Sequence, residues 1–185
     1  MGTRINALFD HNLSDFNDRK ECLNRLKPSV LAATEVYEYW LAADPDNPHV
    51  ETAAWQAEPV SPHGHDLRHY TGPGSLFLTV TEVAARVRTG GRWRGFVSIE
   101  PLRRVHLAAF HVIARALGAL RMAVYLDSDA VDEIFWDGRP LRDCVDWMQV
   151  RWGPRQESVE RIDPEIVAAA DRCPPPIWFL VEVER

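Results

Sequence analysis

The chain has 185 residues, the length of one ordinary domain, and its content of 46% hydrophobic and 26% charged residues is typical of a folded globular protein rather than a disordered one. Acidic residues outnumber basic ones by 27 to 21, and the net charge of −6 argues against nucleic acid or an anionic membrane as a partner. Three widely spaced cysteines without a CxxC pair favour neither a disulfide framework nor a zinc site. Because no secretory signal or long apolar run is found, we expect a cytoplasmic protein in which residues 1–185 form a single domain.

The first half of the chain combines predicted strands and helices with one long irregular segment. Between residues 44 and 74, five prolines and three glycines argue against a long regular element. Alternating apolar and β-branched residues predict a hairpin just after this segment. The predicted strands of this half are residues 4–9, 50–56, 75–80 and 84–89, and its predicted helices run from Ser14 to about Leu26 and onward from Pro28.

The second half contains the clearest helix, residues 101–117, with Gly118 placed to adopt the left-handed conformation at its end. The order of the elements leaves room for only one or two crossover units. We therefore predict an α+β fold with a mixed or antiparallel sheet and helices packed mainly on one face. The other predicted elements of this half are strands at 120–126 and 177–183 and helices at 129–136, at 140–152 and after Asp163.

Three histidines give the most metal-like local pattern. His63, His65 and His69 form an H-x-H-x3-H cluster, and imidazoles at this spacing can converge on zinc or another divalent ion. The cluster lies in the segment rich in proline and glycine, where a short His-rich stretch is commonly a solvated loop. We expect no bound metal and no other cofactor, and we name these three histidines as the ligands if a metal does bind.

Two acids follow the predicted strand at 120–126. Asp127 and Asp129 could hold magnesium, because open sheets place ligands at the carboxyl ends of their strands. The alternative is structural, since Ser128 or Asp129 can cap the next helix. We favour capping. Motifs for phosphate, dinucleotide and zinc-protease sites are absent from the sequence.

The segment 90–95 joins three glycines to Arg92, Trp93 and Arg94. Arginine and tryptophan dominate binding hot spots, and guanidinium groups stack on aromatic rings and form paired hydrogen bonds. We interpret the segment as a loop that presents Trp93 to a partner; the alternative is that Trp93 covers the edge of the core. Trp136 and Trp147 are assigned to an exposed patch, because Trp147 falls beside the apolar stripe of its predicted helix.

The predicted helix 101–117 has a basic stripe and a lone histidine. Arg104, His111 and Arg115 share its polar side, where they either bind a carboxylate or phosphate or are simply solvated. His106 falls on the apolar side. A lone histidine there is more often a hydrogen-bonded core residue than a catalyst.

These patterns favour a non-catalytic module that binds another protein of basic character, as a small acidic inhibitor, antitoxin or immunity protein would. Two alternatives stay open. One is a small metal-dependent hydrolase that uses the histidine cluster or the pair Asp127 and Asp129. The other is a sensor of a small ligand that uses the segment 90–95 together with the basic stripe.

Overall fold

A single antiparallel sheet organises the computed structural model, which describes residues 4–43, 54–59, 67–169 and 176–183. Its strands are β1 (Arg4–Asp10), β2 (Gln56–Ala57), β3 (Arg68–Gly72), β4 (Leu76–Val80), β5 (Ala84–Arg92), β6 (Arg121–Leu126) and β7 (Trp178–Glu182). Their order across the sheet is β2-β3-β4-β5-β1-β6-β7, and each neighbouring pair is antiparallel. The prediction of a mixed or antiparallel sheet is therefore confirmed, and the sheet is antiparallel.

Helices cover both faces of the sheet, but unequally. They are α1 (Arg19–Leu26), α2 (Val30–Ala43), α3 (Trp93–Ser98), α4 (Glu100–Ala116), α5 (Asp129–Trp136), α6 (Leu141–Trp152) and α7 (Pro164–Ala169). The larger core joins one face to α1–α4 and α7, and a smaller core joins the other face to α5 and α6. The predicted α+β fold with helices mainly on one face is confirmed. None of the helices in the described ranges is long and apolar enough to cross a membrane.

Strand β1 lies inside the sheet, between β5 and β6, and contributes to both cores. Its residues in the larger core are Ile5, Ala7 and Phe9. Leu8 belongs to the smaller core, under α5 and α6. Asn6 shares that second face because side chains alternate along a strand. It lies opposite Arg88 on β5 and Tyr125 on β6, so a polar row crosses these three neighbouring strands.

The best-patterned segments form as predicted. The hairpin is the pair β4 and β5, and the clearest predicted helix is α4. Gly118 follows α4 with a φ of +82°, and a Cβ atom there would meet Asn12 Oδ1 at 2.1 Å. Both the left-handed conformation and the close approach of Asn12 require glycine at this position.

Two elements differ from the prediction. Strand β3 lies inside the segment predicted to be irregular, because pairing with β4 orders it although it has only five residues before Pro73. Helix α3 replaces part of the predicted loop at 90–95 and follows β5 directly. Of the strand predicted at 50–56, residues 50–53 lie outside the described residues. Within the described part, β2 begins at Gln56. That residues 1–185 form one domain stays a prediction.

His106 is a buried core histidine, as expected from its place on the apolar side of α4. Its Nδ1 atom donates a hydrogen bond to the Leu102 carbonyl at 2.7 Å, so Nε2 is the acceptor and lies 3.2 Å from the Thr89 hydroxyl. Burial lowers the pKa of His106 to about 4 from an ordinary value of 6.5. The ring is therefore neutral in the folded protein at neutral pH.

This lowered pKa predicts a loss of stability in acid. As the pH falls below 6.5, His106 binds a proton in the unfolded chain before it does so in the folded protein. The contribution of neutral His106 to the free energy of unfolding is therefore complete above pH 6.5 and is lost as the pH falls towards 4. At about 1.4 kcal/mol per pH unit, the loss is about 3 kcal/mol. Urea titrations between pH 4 and 7 measure this loss. As the pH falls, the free energy of unfolding should decrease less for His106→Gln than for the wild type. Equal slopes for the two proteins would contradict the assignment.

Candidate functional site

Trp93 does not lie on the surface, and the prediction that a loop presents it to a partner is wrong. Its side chain is 0% exposed at the start of α3. The indole stacks on Phe96 with ring centroids 5.4 Å apart and meets Phe179 of β7 at 6.5 Å. A large apolar ring gains more from this contact than from exposure to water. Trp93 is therefore part of the core.

The two arginines beside Trp93 belong to different elements, β5 and α3. Arg92 ends β5 opposite Arg4 of β1, and its side chain lies outside the described residues. Arg94 is exposed on α3. Because Trp93 is buried, the three predicted binding residues do not form one exposed surface.

Of the histidine cluster, only His69 falls in the described residues; His63 and His65 lie outside them. His69 is in β3, where its Nδ1 atom lies 3.1 Å from the Thr79 hydroxyl of β4. Burial lowers the pKa of His69, although Glu58 opposes this effect. Within the described ranges, no group of three or more histidine, cysteine or acidic side chains is arranged to hold a metal ion.

Asp127 and Asp129 also have separate environments. Asp127 follows β6 and accepts a hydrogen bond from Asn6 Nδ2 at 3.0 Å. Asp129 is exposed in the first turn of α5, where a carboxylate complements the helix dipole. Ser128 is the N-cap residue of α5, as the capping interpretation expects, and Asp129 supplies a negative charge in the first turn. The Ser128 side chain, however, makes no capping hydrogen bond.

The other two predicted binding residues lie on the layer formed by α5 and α6, whose outward side we call the α5–α6 surface. Trp136 is 36% exposed at the end of α5, and Val150 of α6 is 81% exposed. Trp147 is half-buried and meets Trp152 edge-on with ring centroids 5.6 Å apart. Trp152 in turn lies 6.4 Å from the Tyr125 ring. Trp147 is therefore held in place by Trp152, which itself packs against Tyr125 of the sheet.

The α5–α6 surface is also acidic. Residues 129–152 contain six acidic and three basic residues, and Asp132 is buried, so the outward side has five acids, three arginines and a net charge of −2. Two of the three arginines lie against a single carboxylate, because Arg139 and Arg142 approach Asp143 at 2.6 and 3.6 Å. Four exposed acids of this surface have no ion-pair partner among the described residues: Asp129, Glu133, Asp137 and Asp146.

Beneath this surface, a buried ion pair fixes α5 to the sheet. Arg86 of β5 pairs with Asp132 of α5, and both side chains are almost fully buried. The guanidinium carbon of Arg86 lies 5.2 Å from the Phe135 ring centroid and 5.7 Å from that of Trp136. Burial raises the pKa of Asp132, and the neighbouring guanidinium opposes that effect. The pair thus orients the exposed Trp136 from within.

Sequence reasoning missed the polar residues of this sheet face, although part of the signal was present. Arg86 and Arg88 alternate with Ala85 and Val87, which is the pattern of a strand with one polar face. Their partners are distant in sequence: Asp132 contacts Arg86 from another element, and no local pattern connects them.

Comparison of the chain with protein-family models, with curated proteins and with solved structures finds no match.

Proposed function

We propose that the protein is a non-catalytic module that binds a basic protein partner through the α5–α6 surface. The observation that carries the proposal is the exposed Trp136 among four acids without ion-pair partners. Tryptophan is enriched at binding hot spots, and a surface of one sign attracts a partner of the other. No cofactor is needed for this function.

The rigidity of the surface supports the proposal. A binding residue that is already ordered loses less conformational entropy when the partner arrives. Trp136 is packed against the Arg86 guanidinium, and Trp147 is held by Trp152. Both aromatic groups thus have a defined position before binding.

The proposed class is that of a small acidic inhibitor, antitoxin or immunity protein acting in the cytoplasm. Such a protein captures its target by charge attraction and then holds it by desolvated contacts. The two free, buried thiols of Cys22 and Cys144 are compatible with a reducing compartment.

The test begins with affinity capture from a lysate of the source organism, followed by titration with the purified captured protein. Trp136→Ala should weaken binding by about 2 kcal/mol, the usual threshold for a hot spot. The double variant Glu133→Lys, Asp146→Lys should slow association and reduce its dependence on salt, because rim charges act mainly on the association rate.

Two variants on the opposite side of the sheet are the matched controls. Leu31 and Glu35 are exposed on α2, and Leu31→Ala and Glu35→Lys change side-chain size and charge as the test variants do. They should bind like the wild type. A partner that binds Trp136→Ala and the lysine variant with unchanged affinity and rate would refute the proposal.

A further inference from the structure

A second polar feature lies on the same sheet face and is independent of the proposed protein-binding surface. Arg88, Asn6 and Tyr125 form the row across β5, β1 and β6. Arg4 lies two residues before Asn6 on β1 and therefore on the same face. Asp127 completes the group, since Asn6 donates to it and its backbone N–H donates to the Arg4 carbonyl at 3.0 Å. We call these five residues the arginine row.

Several polar groups of the arginine row have no partner in the described part of the chain. The side chains of Arg4 and Arg88 are half-buried, and neither makes a hydrogen bond or an ion pair with a described residue. Asn6 and Tyr125 are fully buried, and Asn6 Oδ1 and the Tyr125 hydroxyl have no hydrogen-bond partner among the described residues. The Tyr125 hydroxyl and the guanidinium groups of Arg4 and Arg88 are therefore hydrogen-bond donors that no described acceptor uses, and they could bind an acceptor from outside the chain.

The charges of the row indicate what that ligand carries. The nearby Arg86 is matched by Asp132, so the row itself contains two arginines, Arg4 and Arg88, and one carboxylate, that of Asp127. Burial and the neighbouring Arg4 both lower the pKa of Arg88, as expected where two guanidinium groups lie close together. The row therefore has a net charge of +1 in a protein whose net charge is −6.

We propose that the arginine row is a binding site for an oxyanion, a phosphate or carboxylate group of a small molecule, held between the guanidinium groups of Arg4 and Arg88. Guanidinium groups match the planar oxygens of these anions and donate paired hydrogen bonds to them. The β5 strand shifts register opposite Arg4, and irregular pairing of this kind often re-aims side chains beside a ligand site.

Amide NMR titration of the purified protein with sodium phosphate, at an ionic strength held constant with sodium chloride, tests the site without any protein partner. Shifts should concentrate in residues 4–6, 86–90 and 125–128. Arg88→Gln and Arg4→Gln should each weaken phosphate binding at least tenfold. Arg155→Gln removes the same charge from an exposed position after α6 and should leave binding unchanged.

Two further measurements complete the test. In the absence of the anion, Arg88→Gln should be at least as stable as the wild type, because it removes the repulsion between like charges. A parallel titration with sodium acetate identifies the group: tighter phosphate binding assigns phosphate, and tighter acetate binding assigns carboxylate. The proposal is overturned if neither anion shifts the named residues, or if Arg88→Gln and Arg4→Gln bind phosphate like the wild type.

Discussion

Replacing Trp93 by alanine is expected to lower the free energy of unfolding by about 3–5 kcal/mol, the usual cost of truncating a large buried aromatic side chain. The indole is fully buried between Phe96 and Phe179, so its removal leaves a cavity between α3 and β7. Domains of this kind are stabilised by only about 5–15 kcal/mol in total. Urea denaturation followed by circular dichroism measures the change as a lower midpoint at constant slope.

Trp93→Phe is the matched control for this experiment. The indole N–H of Trp93 has no acceptor among the described residues, and phenylalanine removes this donor while keeping a ring against Phe96. The cost should stay below about 1.5 kcal/mol, because the lost volume is small and an unsatisfied group disappears. If Trp93→Ala were as stable as Trp93→Phe, the buried position of the side chain would be wrong.

The second large effect is expected from the ion pair beneath α5. Asp132→Ala should cost about 3–5 kcal/mol, since it leaves the Arg86 guanidinium buried without its counter-charge. Arg86 is only 5% exposed and Asp132 4%, so water cannot replace the lost carboxylate without opening the layer. The free energy of unfolding from urea titration at pH 7 measures the loss.

Removing both charges separates the effect of charge from that of packing. Replacing a buried ion pair by apolar side chains of similar volume is often neutral or stabilising, so the double variant Arg86→Met, Asp132→Leu should be more stable than Asp132→Ala alone. A double variant less stable than Asp132→Ala would show that the shape of the pair matters more than its charge.

Local patterns predicted most of the fold. The hairpin of β4 and β5 and the helices α4, α5 and α6 were visible because alternation and helical spacing are properties of neighbouring residues. Strand β3 was missed because its five residues lie beside Pro73 and become a strand only by pairing with β4. The order of strands is likewise set by contacts between distant segments.

The candidate sites were predictable only in part. Trp136 and Trp147 were identified from composition and helical position, and the structure places both on one layer. Trp93 was misplaced because a tryptophan among glycines and arginines has the composition of a binding loop, while the contact with Phe179 that buries it joins residues far apart in the chain. The row formed by Arg88, Asn6 and Tyr125 requires three strands to be in register, and this information is not local.

The position of β1 between β5 and β6 determines when the sheet can form. One edge of β1 pairs with β5, and the other pairs with β6. Residues paired between β1 and β6 are as many as 121 positions apart in the sequence. Pairing between segments so far apart requires the closure of long loops before it brings any gain in stability, and such topologies fold more slowly than helical bundles of similar size. During synthesis, β1 therefore leaves the ribosome long before β6 does. In that interval one edge of an apolar strand is unprotected, and a chaperone that shields it would favour the native pairing over aggregation.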